Sequence, residues 1–309
     1  MYINPFYYVL GPILLILGFL GSSLGLTGLI LQKKLAKVGV INMYKSIFII
    51  DLVFLSQLMV DLIAVIFGYD VAKFSGITCK MYYHFNYSLA PISPYALVYV
   101  SFERFVSINS ISKRFFMRCE RNQNYYIILV IVFSLIFFSP AYLIFGLDET
   151  NECRFVSSKT EIIYSTGDLL IRVIVPGVLM MIASISLTIS VISSRRKLKI
   201  QRRFQSAEQR NKILIRDINL TITSVMLNLV YLLLTMPLPL GLLFSDFLNN
   251  DSWFYAGYFL YYLSFSIDFY VVFISNMMFR NEILKMFRNN PRNQVLNTYH
   301  LKNQIKQLK

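Results

Sequence analysis

Long apolar stretches dominate the chain. Seven of them are each long enough to cross a bilayer, at residues 7–31, 46–68, 76–103, 124–147, 163–194, 218–245 and 254–277. A membrane span needs about 20 mostly apolar residues, and in lipid it is expected to be helical because a helix satisfies its own backbone hydrogen bonds. The pattern therefore predicts an all-α membrane protein, a bundle of seven transmembrane helices.

The segment after the last apolar stretch has a different periodicity. Apolar residues at positions 279, 283, 284, 286 and 287 predict a short amphipathic helix lying on the membrane surface. Asn290 and Pro291 are expected to end this helix. The pattern thus predicts one membrane domain over residues 1–288, followed by a polar, disordered cytoplasmic tail over residues 289–309.

Charge indicates how the chain is oriented. The net charge is +14, but most Lys and Arg residues fall in alternate connections and in the tail, at residues 32–45, 104–123, 195–216 and beyond 279. The positive-inside rule then places the N-terminus outside the cell and the C-terminus in the cytoplasm of a multi-pass plasma-membrane protein. Membrane topology explains the basic bias, so no nucleic-acid partner is expected. The first residues lack a basic stretch, and no cleavable signal peptide is expected.

The sequence offers little for catalysis. It has two histidines, His84 and His300, and it shows no His/Cys cluster, nucleotide-binding motif or hydrolase motif. We therefore expect a protein that is not an enzyme.

The three cysteines separate by compartment. Cys79 opens the third apolar stretch on the outer side, Cys153 lies in an acidic outer connection, and Cys119 lies on the cytoplasmic side, where thiols stay reduced. This distribution predicts a Cys79–Cys153 disulfide that ties the outer connection to the top of the third span. The alternative is a pair of unbonded buried thiols.

A charged triplet, Glu103-Arg104-Phe105, follows Cys79 at the inner end of the same span. One interpretation is an ordinary interfacial arginine that extends its charge to water. The combination of Cys79 with this triplet, however, resembles the rhodopsin-like G-protein-coupled receptors, whose third helix carries a Cys and a Glu/Asp-Arg-Tyr triplet. The resemblance implies that Arg104 is held by Glu103 in the inactive state and contacts a heterotrimeric G protein in the active state.

Further positions extend this resemblance over residues 1 to about 288, the expected receptor domain. Asp51-Leu52 is similar to the family's second-span motif, Asp268 begins a segment similar to the Asn/Asp-Pro-x-x-Tyr motif, and Pro176 and Pro237 stand where family helices are kinked. The chain departs from the family pattern at several positions, and these departures suggest a divergent branch. They include Phe269, Val272 and Thr235.

The resemblance also implies an ion site. Family members hold a sodium ion among residues equivalent to Asp51, Ser93 and Asp268, and carboxylates at membrane depth are candidates for function by default. The alternative is a protonated aspartate that is hydrogen-bonded to its neighbours. No other cofactor or metal is implied.

A ligand pocket is implied in the outer half of the bundle. Its candidate residues are Asp61, Asn86, Tyr87, Asp168, Arg172, Tyr231 and Tyr262. Asp168 and Arg172 are four residues apart and can pair on one helix face, so an internal salt bridge without a ligand role is the alternative for these two.

The ligand class follows in part from the resemblance. Asn86 stands where amine receptors carry Asp, and Tyr262 stands where opsins carry their Schiff-base Lys, so a monoamine and retinal are both disfavoured. The acidic outer connections and a similarity to FMRFamide-type invertebrate receptors favour a basic or amidated peptide, and a small chemosensory molecule is a further option. Asn250 begins a glycosylation sequon close to the membrane.

Two other classes share a helix count of this kind. A seven-helix ligand-gated channel usually has the opposite orientation, and a transporter would show repeat symmetry or broken helices in matched halves. Neither feature is visible in the sequence.

Overall fold

The computed structural model describes residues 5–31, 41–68, 71–109, 113–201, 207–238 and 251–288. These residues form a bundle whose spans follow the predicted order. The spans are Pro5–Leu31, Ile41–Phe67, Gly76–Leu89 with Ile92–Asn109, Lys113–Phe137, Ser158–Leu169 continued by Val175–Gln201, Ala207–Thr235 and Asp251–Ser275. The prediction of an all-α bundle of seven transmembrane helices is confirmed. Six single helices among the described residues are long and apolar enough to cross a membrane.

The third span is the exception, because it consists of two helices. The first ends at Leu89, where the N–H of Ala90 still donates to the carbonyl of Asn86 at 3.3 Å, and the second begins at Ile92. Pro91 lies between them and has no N–H to continue the helical hydrogen bonds. The prediction of one continuous helix over residues 76–103 is therefore wrong at this proline.

The fourth span ends earlier than its apolar stretch. The helix stops at Phe137, and a short helical turn, Ala141–Ile144, leads into strand β1, Phe145–Leu147. Strand β1 pairs antiparallel with strand β2, Cys153–Phe155. The prediction of a span reaching residue 147 is wrong because these apolar residues pack in a hairpin against the bundle, and hydropathy alone does not separate the two environments.

The fifth span contains a π-helical turn at Leu170–Ile174, directly before Pro176. Pro176 cannot donate a hydrogen bond to the carbonyl of Arg172, four residues earlier. The hydroxyl of Tyr231, on the sixth span, donates to that carbonyl at 3.2 Å. The proline thus marks a change of helix type and frees a carbonyl for a contact between two spans. Pro237 lies just beyond the regular helix of the sixth span, and the bend expected at each proline stays a prediction.

Helix packing places the two ends of the third span at opposite ends of the bundle. The first span packs against the second and seventh, and the second half of the third span packs against the fifth and sixth. Close packing needs glycine at Gly25, where an added Cβ would lie 2.7 Å from the ring of Phe48. We call the end of the bundle near Cys79 the disulfide end and the end near Arg104 the Arg104 end.

A final helix, Met277–Arg288, follows the seventh span at the Arg104 end. The side-chain oxygen of Asn276 accepts hydrogen bonds from the N–H groups of Met278 and Phe279, both at 3.1 Å, and so caps this helix. Ile283 packs so closely on Gly28 of the first span that a Cβ there would overlap its Cδ1 atom. The predicted short amphipathic helix is confirmed. The predicted tail, residues 289–309, lies outside the described residues.

Candidate ligand-binding and signalling sites

The disulfide end is held by a covalent bond. Cys79 and Cys153 form a disulfide, with their Cα atoms 5.7 Å apart, and Cys79 is fully buried. The bond fixes strand β2 to the start of the third span, and the ion pair of Lys73 with Glu152 at 2.6 Å lies beside it. The predicted disulfide is confirmed, and the alternative of two unbonded thiols is wrong.

Asp148 organises the turn between the two strands. Its Oδ1 atom accepts hydrogen bonds from the Thr150 hydroxyl at 2.6 Å, the Thr150 N–H at 2.9 Å and the Glu152 N–H at 2.8 Å. These donors, the Thr150 hydroxyl foremost, lower the pKa of the Asp148 carboxyl below its ordinary value. The turn is therefore built around an ionised carboxylate.

The Arg104 end contains a buried charge cluster. Arg104 donates from its Nη2 atom to Oε1 of Glu103 at 3.1 Å, and Gln123 of the fourth span donates to Oε2 of Glu103 at 3.3 Å. Arg104 is only 3% exposed, so it does not extend to water as an interfacial arginine would. Phe105, the third residue of the triplet, is half-buried. The pairing of Glu103 with Arg104 was implied by the resemblance of their triplet to the family motif, whereas Gln123 comes from another span and no local motif indicates it.

A second polar cluster joins three spans in the half of the bundle near Arg104. The amide of Asn228 donates to the hydroxyls of Ser101 at 2.8 Å and Ser184 at 2.9 Å, and Ser101 hydrogen-bonds Ser224 at 2.9 Å. These bonds connect the sixth span to the third and the fifth. This cluster was not predicted, although the spacing of Ser224 and Asn228, four residues apart on an apolar helix, is a signal that could have shown it.

The residues of the predicted ion site are all buried. Asp51 is completely inaccessible, and neither of its carboxylate oxygens has a hydrogen-bond partner. Asp268 lies close enough to interact with it electrostatically, and Ser93 is buried on the third span, which packs against the second. Carboxylate oxygens without protein donors suit a hard cation such as sodium, which takes oxygen ligands. The residues fit the predicted group, and its binding stays a prediction.

Two of the departures from the family pattern pack in an apolar core at the Arg104 end. The ring of Phe269 lies 6.4 Å from that of Phe48 and 6.0 Å from that of Phe279, measured between centroids. Val272 is buried in the same core. The third departure, Thr235, donates from its hydroxyl to the carbonyl of Tyr231 at 2.8 Å.

The candidate pocket residues separate into two groups. The first surrounds the carboxylate of Asp61, which accepts hydrogen bonds from the hydroxyls of Tyr82 and, at 3.3 Å, Tyr262. Asp61 is half-buried, and each carboxylate oxygen faces a tyrosine from a different span. Tyr82 was absent from the predicted set, because only the packing of the second span on the third brings it to Asp61.

The second group surrounds an ion pair. Arg172 donates to Oδ2 of Asp168, and the two side chains are 13% and 6% exposed. The guanidinium lies over the rings of Tyr87 at 5.8 Å and Tyr261 at 5.3 Å. The predicted pairing of Asp168 with Arg172 is present, and it brings together residues of the third, fifth and seventh spans.

One predicted pocket residue, Asn86, lies apart from both groups. Asn86 has a half-buried side chain that makes none of the contacts defining either group. Asn250 lies outside the described residues.

A bundle of seven spans, with a disulfide at one end of the third span and a buried Glu-Arg pair at the other, defines the class of seven-transmembrane receptors. The sequence profile described as "7 transmembrane receptor (rhodopsin family)" matches residues 28–268, more than three quarters of the chain. The protein belongs to this family, whose members are receptors. No curated protein matches the chain.

Proposed function

We propose that the protein transmits the binding of an extracellular ligand at its disulfide end to a heterotrimeric G protein at its Arg104 end. One observation carries the proposal: the third span is bonded through Cys79 at one end and holds the buried Glu103–Arg104 pair at the other. The span therefore connects the two surfaces that a signal must link.

The mechanism is a shift between two arrangements of the spans. The bonds of Asn228 to Ser101 and Ser184 hold the sixth span against the third and fifth, and the pair of Glu103 with Arg104 keeps the guanidinium inside the bundle. A ligand that favours an outward position of the sixth span weakens these contacts. Arg104 then becomes available to a G protein.

The proposal includes an orientation. The distribution of Lys and Arg residues supports an extracellular N-terminus and a cytoplasmic C-terminus in the plasma membrane. An epitope tag at each terminus, stained in intact and in permeabilised cells, tests it. The N-terminal tag should stain in intact cells and the C-terminal tag only after permeabilisation, and the opposite result would favour a channel.

The ligand that the disulfide end suits best is a basic or amidated peptide. Among the described residues, the two candidate groups carry the carboxylates of Asp61 and Asp168 and the single guanidinium of Arg172. The guanidinium of Arg172 lies over the faces of Tyr87 and Tyr261, and such faces attract cationic groups. A small chemosensory molecule is the second candidate, and the tyrosine rings favour one with a flat polar group.

A sodium ion would be held by Asp51, Ser93 and Asp268. When bound, it would neutralise carboxylate charge in the middle of the bundle. The unpartnered oxygens of Asp51 support this assignment.

Arg104→Ala tests the coupling to a G protein. A G-protein dissociation assay in cells measures ligand-independent signalling, which the variant should lose because the guanidinium is the group expected to contact the G protein. Arg288→Ala, which removes an exposed arginine from the final helix, is the control for charge alone and should retain signalling. Undiminished signalling by Arg104→Ala at equal surface expression would contradict the proposal.

A further inference from the structure

We propose that the Asp168–Arg172 ion pair binds a primary carboxamide of the ligand, as found at the C-terminus of an amidated peptide. The inference rests on the proposed function in one respect, since it takes the disulfide end as the side from which the ligand enters. It goes further by naming the chemical group that the pair recognises and the atoms that recognise it.

The first reason is that each member of the pair has an unused hydrogen-bonding atom. Oδ1 of Asp168 and Nε of Arg172 are buried and have no partner, although the two side chains bond each other through other atoms. A buried acceptor or donor without a partner is unfavourable, because it has lost its hydrogen bonds to water. A carboxamide has an N–H donor and a carbonyl acceptor on one planar group, which are the partners that Oδ1 and Nε each require.

The second reason is charge. The pair is neutral as a unit, so a neutral group meets no net repulsion there. A carboxylate would accept from Arg172 but would be repelled by Asp168, and an ammonium would donate to Asp168 but would be repelled by Arg172. The pair therefore favours an amide over the corresponding acid or amine.

The third reason is the backbone that positions Arg172. This residue lies in the π-helical turn Leu170–Ile174, and such turns inside helices are frequently found at functional sites. From this turn the guanidinium lies over the rings of Tyr87 and Tyr261. Aromatic faces on the third and seventh spans thus border the group and suit a flat amide.

The fourth reason is that the pair is connected to the sixth span. The hydroxyl of Tyr231 donates to the carbonyl of Arg172, and the hydroxyl of Thr235 donates to the carbonyl of Tyr231. A ligand that moves Arg172 therefore acts directly on the span whose position the proposed mechanism requires to change.

The test measures binding to the purified full-length receptor by thermal shift, with three small probes. N-acetylphenylalaninamide carries a C-terminal amide, N-acetylphenylalanine carries a carboxylate at the same position, and N-acetylglutamine methyl ester carries the amide on a side chain. The wild type should bind the C-terminal amide about tenfold more tightly than the acid, the ratio expected from one well-formed hydrogen bond. The third probe distinguishes a terminal amide from a side-chain amide as the natural source.

Two variants test whether Oδ1 of Asp168 and Nε of Arg172 bind the carboxamide. Asp168→Asn removes the anion and leaves the charge of Arg172 in excess, so the preference should reverse and the acid should bind more tightly than the amide. Arg172→Lys keeps the charge but has no Nε donor, so the preference for the amide should fall several-fold. Asp148→Asn makes the same chemical change on the hairpin turn at the same end of the bundle and should leave the preference unaltered.

Three results would overturn the inference: equal binding of amide and acid by the wild type, binding of neither at millimolar concentration, or an unchanged preference in Asp168→Asn. If Asp168→Asn fails to fold, Arg172→Lys decides the question alone. Because the readout needs no G protein, intact amide selectivity in a receptor that does not signal would contradict the proposed function and leave this inference standing.

Discussion

Two buried arginines show how differently similar ion pairs can be completed. Arg104 and Arg172 each pair with a carboxylate on their own span, Glu103 and Asp168. The Nε atoms of both arginines are buried without a partner, so the difference lies in the carboxylates. Both oxygens of Glu103 have donors, Arg104 and Gln123, whereas Oδ1 of Asp168 has none. A carboxylate whose oxygens are both bonded to protein groups is suited to restrain the bundle, and one with an unbonded oxygen is suited to receive a ligand.

The largest effect should come from the disulfide that fixes the end containing Arg172. Cys79→Ser opens a loop closed over 74 residues of sequence and should lower the free energy of unfolding by about 4 kcal/mol. Thermal unfolding of the receptor in lipid nanodiscs measures it. Cys119→Ser removes the third cysteine as a control, and an equal loss in that variant would contradict the prediction.

Removing either arginine should lower the free energy of unfolding nearly as much as removing the disulfide does. The two arginine variants also test whether the two ion pairs differ. Arg104→Ala leaves Glu103 charged and buried, and Arg172→Ala does the same to Asp168, so each should lower the free energy of unfolding by about 3 kcal/mol. The same unfolding assay measures both. A carboxamide probe should partly restore Arg172→Ala, because it still donates to Asp168, but it should not restore Arg104→Ala. Equal rescue of both variants would show that Asp168 is no better suited to receive a ligand than Glu103.

A smaller loss of stability is expected when Gln123 is replaced. Gln123→Leu leaves Oε2 of Glu103 without this donor and should cost about 1–2 kcal/mol of stability while raising ligand-independent signalling. Asn124→Leu, at the exposed neighbouring position, is the matched control. Signalling that is unchanged in Gln123→Leu at equal expression would show that the bond from Gln123 does not restrain the Glu103–Arg104 pair.

Asp51 extends the comparison to a carboxylate without any donor. If Asp51 helps to bind sodium, replacing potassium with sodium at constant ionic strength should stabilise the wild type by about 1 kcal/mol. Asp51→Asn should abolish this difference. The same sodium effect in the variant would show that the ion binds elsewhere.

The smallest effect is expected at Asp148, an exposed carboxylate whose Oδ1 atom has three donors. Its lowered pKa means that its stabilisation of the turn is present above the ordinary carboxyl pKa and is lost as the pH falls through the lowered value. Hydrogen exchange of the Thr150 and Glu152 amides should therefore accelerate, relative to the intrinsic rate, only under acidic conditions below about pH 4. In Asp148→Asn this pH dependence should disappear.

The features predicted from the sequence are those with a local cause. Span positions follow from the length of apolar segments, the final helix follows from its periodicity, and the disulfide follows from the compartment of each cysteine. The four-residue spacing of Asp168 and Arg172 made their pairing predictable too, whereas the pairing of Glu103 with Arg104 was implied by the family resemblance. Two features were exceptions. Hydropathy does not show the helix break at Pro91, which arises because proline has no N–H to donate, and it does not show strand β1, which forms because β2 pairs with it.

Only the tertiary structure decided how these local pieces are completed. Gln123 donates to Glu103, Asn228 joins three spans, and Tyr231 donates to the carbonyl that Pro176 leaves free. Each contact joins residues of different spans, at least 20 residues apart in sequence. Apolar runs determine that a helix crosses the membrane, because burying an unsatisfied backbone in lipid is too costly. They do not determine the rotation of one helix against another, which depends on side-chain packing and on hydrogen bonds between the spans.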